Sequence, residues 1–290
     1  MSDTPEWFWQ AIDQKPESAY LQVAESDVHY LSWNEPEKGN GLLFVHGHNA
    51  HAHWWDFIAP FFKDAHHTVA LDLTGMGDSD QRDAYSNDTY ADEIVAVADA
   101  ASMSNDTILV AHSFGGMMAI RAAALNPERF KGLILIDSGV RHPDDIKERD
   151  PQIERLSQSK MYPTKEVAQS RFRLQPPQQC ENQYLVDHIA RSSVEYDDVE
   201  EGWSWKFDEE LNTRMTMNGD LEEDYKSIGI PVALIYGAQS ESFKARSAEY
   251  MKELKGDLSV LEIADAQHHL FLDQPMAFVE AVKQVLSDWG

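Results

Sequence analysis

Eight short apolar runs, separated by longer stretches with helical spacing, set what this chain can fold into. The runs fall at 20–23, 28–33, 42–45, 68–71, 107–110, 133–136, 232–236 and 258–263. The later ones are continuously apolar, as strands buried on both faces are, while the first two suit an antiparallel pair. Helical spacing occupies 53–62, 87–102, 117–125, 245–254 and 276–289. Strand and helix in alternation predict a mostly parallel sheet with helices on both faces. At 290 residues and 42% hydrophobic, the chain can bury one such core and still carry an insertion.

The rhythm breaks between Ser138 and Gly229. Pro143, Pro151, Pro163, Pro176 and Pro177 interrupt this stretch, charges are frequent, and no run reads as a buried strand. Helical fragments are expected at 144–159 and 181–192. A connection this long, with helices of its own, reads as an inserted lid rather than a loop. The expected division is therefore a core of 1–137 and 230–290 with a helical cap at 138–229. Trp203, Trp205 and Phe207, near the end of the insertion, are candidates either for a pocket mouth or for packing onto the core.

The pentapeptide Ala111-His112-Ser113-Phe114-Gly115 carries the chemistry. It joins an apolar run to a helical stretch, so Ser113 falls on a sharp strand-to-helix turn that lifts its hydroxyl above the sheet. Such a turn is strained and needs small neighbours, which Ala111, Gly115 and Gly116 supply. The bland alternative is an ordinary turn with a capping serine. As a nucleophile, Ser113 requires a base and an acid that orients it. In sheets of this kind ligands sit beyond the carboxyl ends of the strands, so the partners must follow strands too.

His268 and His269 follow the last run and compete as base. Glu241 is the only carboxylate in the turn after 232–236 and is the expected acid; the rival is Asp137, at the end of 133–136. The order nucleophile, acid, base is that of α/β-hydrolases. His112, beside the nucleophile, points away by strand alternation and reads as a packing residue. For the developing oxyanion, the expected donors are the backbone N–H groups of Phe114 and of His48, the latter in the loop His46-Gly47-His48-Asn49. The His46 side chain is expected to buttress that loop.

Taken together, Val45-His46-Gly47, the stretch 71–79 (LDLTGMGDS), the Ser113 turn, Tyr236-Gly237, and His268 with Gln274-Pro275 resemble the α/β-hydrolase superfamily, in its lid-bearing branch. The resemblance spans nearly the whole chain outside the insertion. It implies an α/β-hydrolase fold with a mostly parallel eight-stranded sheet, helices on both faces and an inserted helical lid. It also favours His268 over His269. Two departures stand out: the family often has an aspartate where Ser240 stands, with Glu241 one place later, and Gln267 replaces a glycine. Relatives that open epoxides or displace halide carry an aspartate nucleophile, so Ser113 points instead to acyl transfer. A carboxylesterase acting on small to medium acyl esters is the leading expectation; C–C bond hydrolysis, thioester hydrolysis and cofactor-free perhydrolysis use the same residues. No cofactor is implied.

Composition narrows the partners. Acidic residues number 50 against 24 basic, a net charge of −26, which argues against nucleic acid and anionic membrane surfaces and disfavours anionic substrates at long range. No signal-peptide pattern opens the chain and no run approaches the roughly 20 residues needed to span a bilayer. A single cysteine, Cys180, suits a reducing cytoplasm, the expected location. A small ester-like molecule is the expected partner, and one chain says nothing of oligomeric state. Two readings of other classes compete. His46, His48, His51 and His53 form a cluster that resembles the zinc loop of metallo-β-lactamase-like hydrolases and could serve a zinc-dependent hydrolase, although Ala50 stands where that family has an aspartate. A scaffold of this kind can also act as a non-catalytic ligand receptor.

Overall fold

The computed structural model describes residues 4–34, 40–145 and 160–290. Its centre is an eight-stranded sheet built from β1 (Glu17–Val23), β2 (Ser26–Ser32), β3 (Gly41–Val45), β4 (His67–Leu71), β5 (Ile108–His112), β6 (Gly132–Ile136), β7 (Val232–Gly237) and β8 (Ser259–Ile263). Their order across the sheet is β1-β2-β4-β3-β5-β6-β7-β8. β1 and β2 pair antiparallel, β2 joins β4 antiparallel, and every pair from β4 to β8 is parallel. All eight expected strands are present.

Side-chain alternation divides the interior into two cores. Leu43 and Val45, Leu109 and Ala111, Leu133 and Leu135 face a layer that includes helices Asn87–Ala100, Phe114–Leu125 and Ala245–Leu254. Leu42 and Phe44, Ile108 and Val110, Ile134 and Ile136 face the opposite layer, with helices Glu6–Ile12 and Pro275–Trp289. Strands with both faces covered have no room for polar residues, which is why they read as unbroken apolar runs.

One expected helix does not form. In place of 53–62 the chain makes two short 3₁₀ turns, Ala52–Trp55 and Ala59–Phe61. Pro60 lacks an N–H for a continuous ladder, so the apolar spacing cannot be carried through 53–62 as one helix. Within 138–229 the described residues hold the helices Lys165–Ser170 and Gln183–Ser192 together with an antiparallel pair, Val194–Asp197 with Gly202–Trp205. The second of the two helical fragments expected there corresponds to Gln183–Ser192. The first begins in a 3₁₀ turn, Pro143–Asp145, and from residue 146 lies outside the described residues. No helix among the described residues is long and apolar enough to cross a membrane.

Candidate active site

The carboxyl ends of β3, β5, β6, β7 and β8 bring five loops together. Ser113 occupies the corner after β5 with φ 52° and ψ −118°, a left-handed conformation that costs a side-chain-bearing residue roughly 1–3 kcal/mol. The corner is possible because Gly115 follows: a Cβ there would lie 2.2 Å from the carbonyl oxygen of His46. Gly47 is similarly constrained, since a Cβ would meet His112 Nδ1 at 2.8 Å and the Ser113 Cβ at 3.3 Å. Phe114 opens the next helix, so its N–H is one that the helix does not engage.

His268, after β8, lies between Ser113 and Asp137. Its Nδ1–H donates to Asp137 Oδ2 at 2.6 Å, which leaves Nε2 to accept from the Ser113 hydroxyl at 2.9 Å. Asp137 is fully buried and receives two further hydrogen bonds, from the Ser240 hydroxyl at 2.7 Å and the Gly237 N–H at 3.1 Å. Its backbone is also left-handed, with φ 47°.

The expectation for Glu241 is therefore corrected. Its side chain is 93% exposed and its nearest charged partner is Lys244 at 3.9 Å. The turn after β7 directs Ser240 inward and Glu241 outward. Ser240, at the position where the family often carries an aspartate, instead gives a hydrogen bond to a carboxylate arriving from the neighbouring strand. Asp137 was the rival from the outset; what the sequence alone does not convey is that its own turn and Ser240 both aim at the same point.

His112 has a part that strand alternation does not reveal. Its Nε2–H donates to the carbonyl oxygen of His268 at 3.1 Å, and the two rings lie 4.8 Å apart. It thus braces the loop bearing His268. The His269 ring packs among those of His268, His112 and Trp54 and makes no hydrogen bond to Ser113 or Asp137 among the described residues. Burial holds both His112 and His269 well below the ordinary imidazole range.

The four histidines from 46 to 53 do not converge. His46 donates from Nδ1 to the Gly47 carbonyl at 2.7 Å and accepts the Leu73 N–H at Nε2, tying the loop after β3 to that after β4, as a buttress should. His48 faces Asn212, His51 faces Ser193, and His53 faces Asp56. Among the described residues two groups of three possible ligands lie within 4.8 Å of one another, and neither contains any of these four.

A cleft of about 210 Å³ opens beside this cluster, with His48, Trp54, Phe172 and Trp205 among its lining residues. Of the aromatics singled out in the insertion, Trp205 and Phe207 face the cleft, whereas Trp203 packs against Tyr196 and under Lys165.

Comparison with known proteins places these features. The model of the alpha/beta hydrolase family matches residues 42–281. The chain belongs to the alpha/beta hydrolase family. A cis-3-alkyl-4-alkyloxetan-2-one decarboxylase of Shewanella oneidensis is 31% identical over 132 residues, 44% of this chain and 41% of that protein. A haloalkane dehalogenase of Mycolicibacterium smegmatis is 27% identical over 41% of this chain and 40% of its own length, so these two matches span only about two-fifths of either relative. A 2-(acetamidomethylene)succinate hydrolase of Mesorhizobium japonicum is 22% identical over 88% of this chain and 92% of that protein. Among solved structures, an esterase from Mycobacterium tuberculosis superposes with a TM-score of 0.71 at 21% identity, covering 98% of both chains. The thioesterase domain of the curacin biosynthetic pathway does so at 0.73 and 22% identity, covering 92% of this chain and 98% of its own. At such identity these superpositions speak for the fold alone.

Proposed function

We propose that the protein is a serine hydrolase of the acyl-transfer kind, acting on carboxylic esters through Ser113, His268 and Asp137. One observation carries the reading: the hydrogen-bonded series Ser113–His268–Asp137 stands at a left-handed corner beyond the carboxyl edge of the sheet. Asp137 accepts the Nδ1 proton and so selects the tautomer in which Nε2 is basic. Nε2 takes the hydroxyl proton as Ser113 Oγ attacks the acyl carbon. The backbone N–H groups of Phe114 and His48 are the donors for the oxyanion, each worth about 10²–10³-fold in rate in comparable sites. The imidazolium then protonates the departing alcohol, and water activated by the same nitrogen releases the acyl group.

The serine also weighs against halide displacement, the activity named for one partial relative. Attack of an alkoxide on an alkyl halide would leave an ether, which water does not cleave, whereas an acyl-serine ester is readily hydrolysed. In this reading 138–229 acts as a cap whose residues shape the entrance and select the substrate. A panel of 4-nitrophenyl esters of increasing acyl length, run with the wild type and with Ser113→Ala, tests the proposal. Ester turnover that Ser113→Ala removes supports it. Turnover that survives the substitution would overturn it.

A further inference from the structure

The cleft lined by His48, whose ring packs on Phe114 next to Ser113, has a charge opposite to that of the rest of the molecule. Its lining includes Arg171, Arg173 and Lys206 and no aspartate or glutamate, in a chain where acidic residues outnumber basic ones about two to one. Lys206 is paired with Asp78. The two arginines are not so compensated. Arg82, Arg121, Arg129, Arg214 and Arg246 each reach a carboxylate. Among the described residues Arg171 and Arg173 reach none, as is also true of Arg141 and Arg191 outside the cleft, and Arg173 spends Nη1 on the carbonyls of Ser170 and Phe172. A guanidinium offers five donors in a planar fork, a shape matched to a carboxylate.

The rest of the cleft is apolar. Trp54, Phe172 and Trp205 follow one another with ring centroids 6.3 and 6.0 Å apart, enough to bury a short hydrocarbon segment. Contacts through the loop after β3 connect the cleft to the nucleophile. His48 lines it, the His48 ring packs on Phe114 at 5.5 Å, and the preceding Gly47 lies against Ser113.

We infer that Arg171 and Arg173 recognise a free carboxylate on the substrate, so that the molecules cleaved at Ser113 are half-esters of short dicarboxylic acids or acyl compounds of the same charge. The inference rests on the serine-hydrolase reading and adds the substrate class to it. It also reverses, at short range, the long-range expectation set by the net charge. Surface repulsion is screened within about 8–10 Å at ordinary salt, whereas a guanidinium–carboxylate pair acts at hydrogen-bond distance.

Two 4-nitrophenyl esters of matched chain length test it: the mono-ester of glutaric acid and the pentanoate. The wild type should favour the anionic ester in kcat/KM by about tenfold or more. In the double variant Arg171→Gln/Arg173→Gln that ratio should fall about 10–100-fold, mainly through KM, as loss of charged hydrogen bonds implies. Lysine at both positions should restore part of it. Arg191→Gln, outside the cleft, should leave the ratio alone. Should the double variant fold poorly, each single Arg→Gln variant is read the same way. A second arm separates this inference from the catalytic one: binding of glutarate mono-4-nitrophenyl ester and of the pentanoate to Ser113→Ala, followed by calorimetry. Preferential, arginine-dependent binding of the anion supports carboxylate recognition even if no ester is turned over. Ester turnover with no preference for the anion in either arm, or with equal losses on both esters, would overturn it.

Discussion

Among the described residues two Ser–His–Asp series run through this molecule, and their distances are nearly the same. In one, Ser113 Oγ is 2.9 Å from His268 Nε2 and His268 Nδ1 is 2.6 Å from Asp137. In the other, Ser18 Oγ is 2.9 Å from His29 Nε2 and His29 Nδ1 is 2.7 Å from Asp72. Everything around them differs. Ser113 stands at a left-handed corner that opens a helix, faced by a loop whose glycine lies against it. Ser18 lies within β1, the outermost strand, in regular register with Leu31. Asp72 is occupied by structural work: it accepts the N–H groups of Ala52 and Asp78 as well as His29. The His29 N–H in turn donates to Ser79. That series staples β2 to the loop after β4. Pairwise distances define a relay; on the proposed reading, it is the corner that presents the hydroxyl that makes one of them reactive.

The comparison breaks most sharply on the two serines. Ser113→Ala should lower kcat on a 4-nitrophenyl ester by about 10⁵–10⁶-fold, as loss of the nucleophile does in comparable enzymes. Ser18→Ala should leave kcat within about twofold in the same assay. The acids come next. Asp137→Asn should cost about 10⁴-fold by stabilising the wrong imidazole tautomer, while Glu241→Gln, on an exposed side chain, should change kcat less than about twofold. The reverse result would return the acid to Glu241.

The second series should instead show itself in stability. Breaking a buried pair leaves one member without its partner and costs about 3–5 kcal/mol. Asp72→Asn should therefore lower the unfolding free energy by that order in urea titrations, with kcat per folded molecule kept.

The regions also separate by pH. Burial drives His51 down to about 3 and holds His112 and His269 well below their ordinary values. These imidazoles stay neutral in the fold but take protons in the unfolded chain below about pH 6.5. Their contribution is complete above that pH and is lost progressively as pH falls below it. Asp72 behaves otherwise. Burial alone would raise its carboxyl, but the His29 hydrogen bond and the fields of His29, His46 and His51 together more than reverse this, so it lies below the usual range. Its contribution persists until the medium is acid enough to protonate ordinary aspartates, below about pH 4. Urea unfolding at pH 7, 6, 5 and 4 should show a histidine slope already between pH 6 and 5.

What was legible in the residues follows from which forces act locally. The strands were legible because two covered faces demand continuous apolar runs. The nucleophile turn was legible because its small neighbours answer a backbone strain. The break at 53–62 falls where Pro60 cannot donate into a helical ladder, a local signal that the helical spacing of the apolar residues masks. The acid depended on direction: Ser240 and Glu241 are adjacent, and only the turn after β7 decides which faces inward. The cationic cleft was not legible, because Arg171 and Arg173 meet His48 only when distant segments fold together.

Reaction with a fluorophosphonate, followed by mass mapping of the adduct, compares the two serines in a single tube. A phosphonyl group on Ser113, absent from Ser18 and lost in His268→Ala, is the predicted result. An adduct on Ser18, or equal labelling with and without His268, would contradict the assignment of the reactive corner.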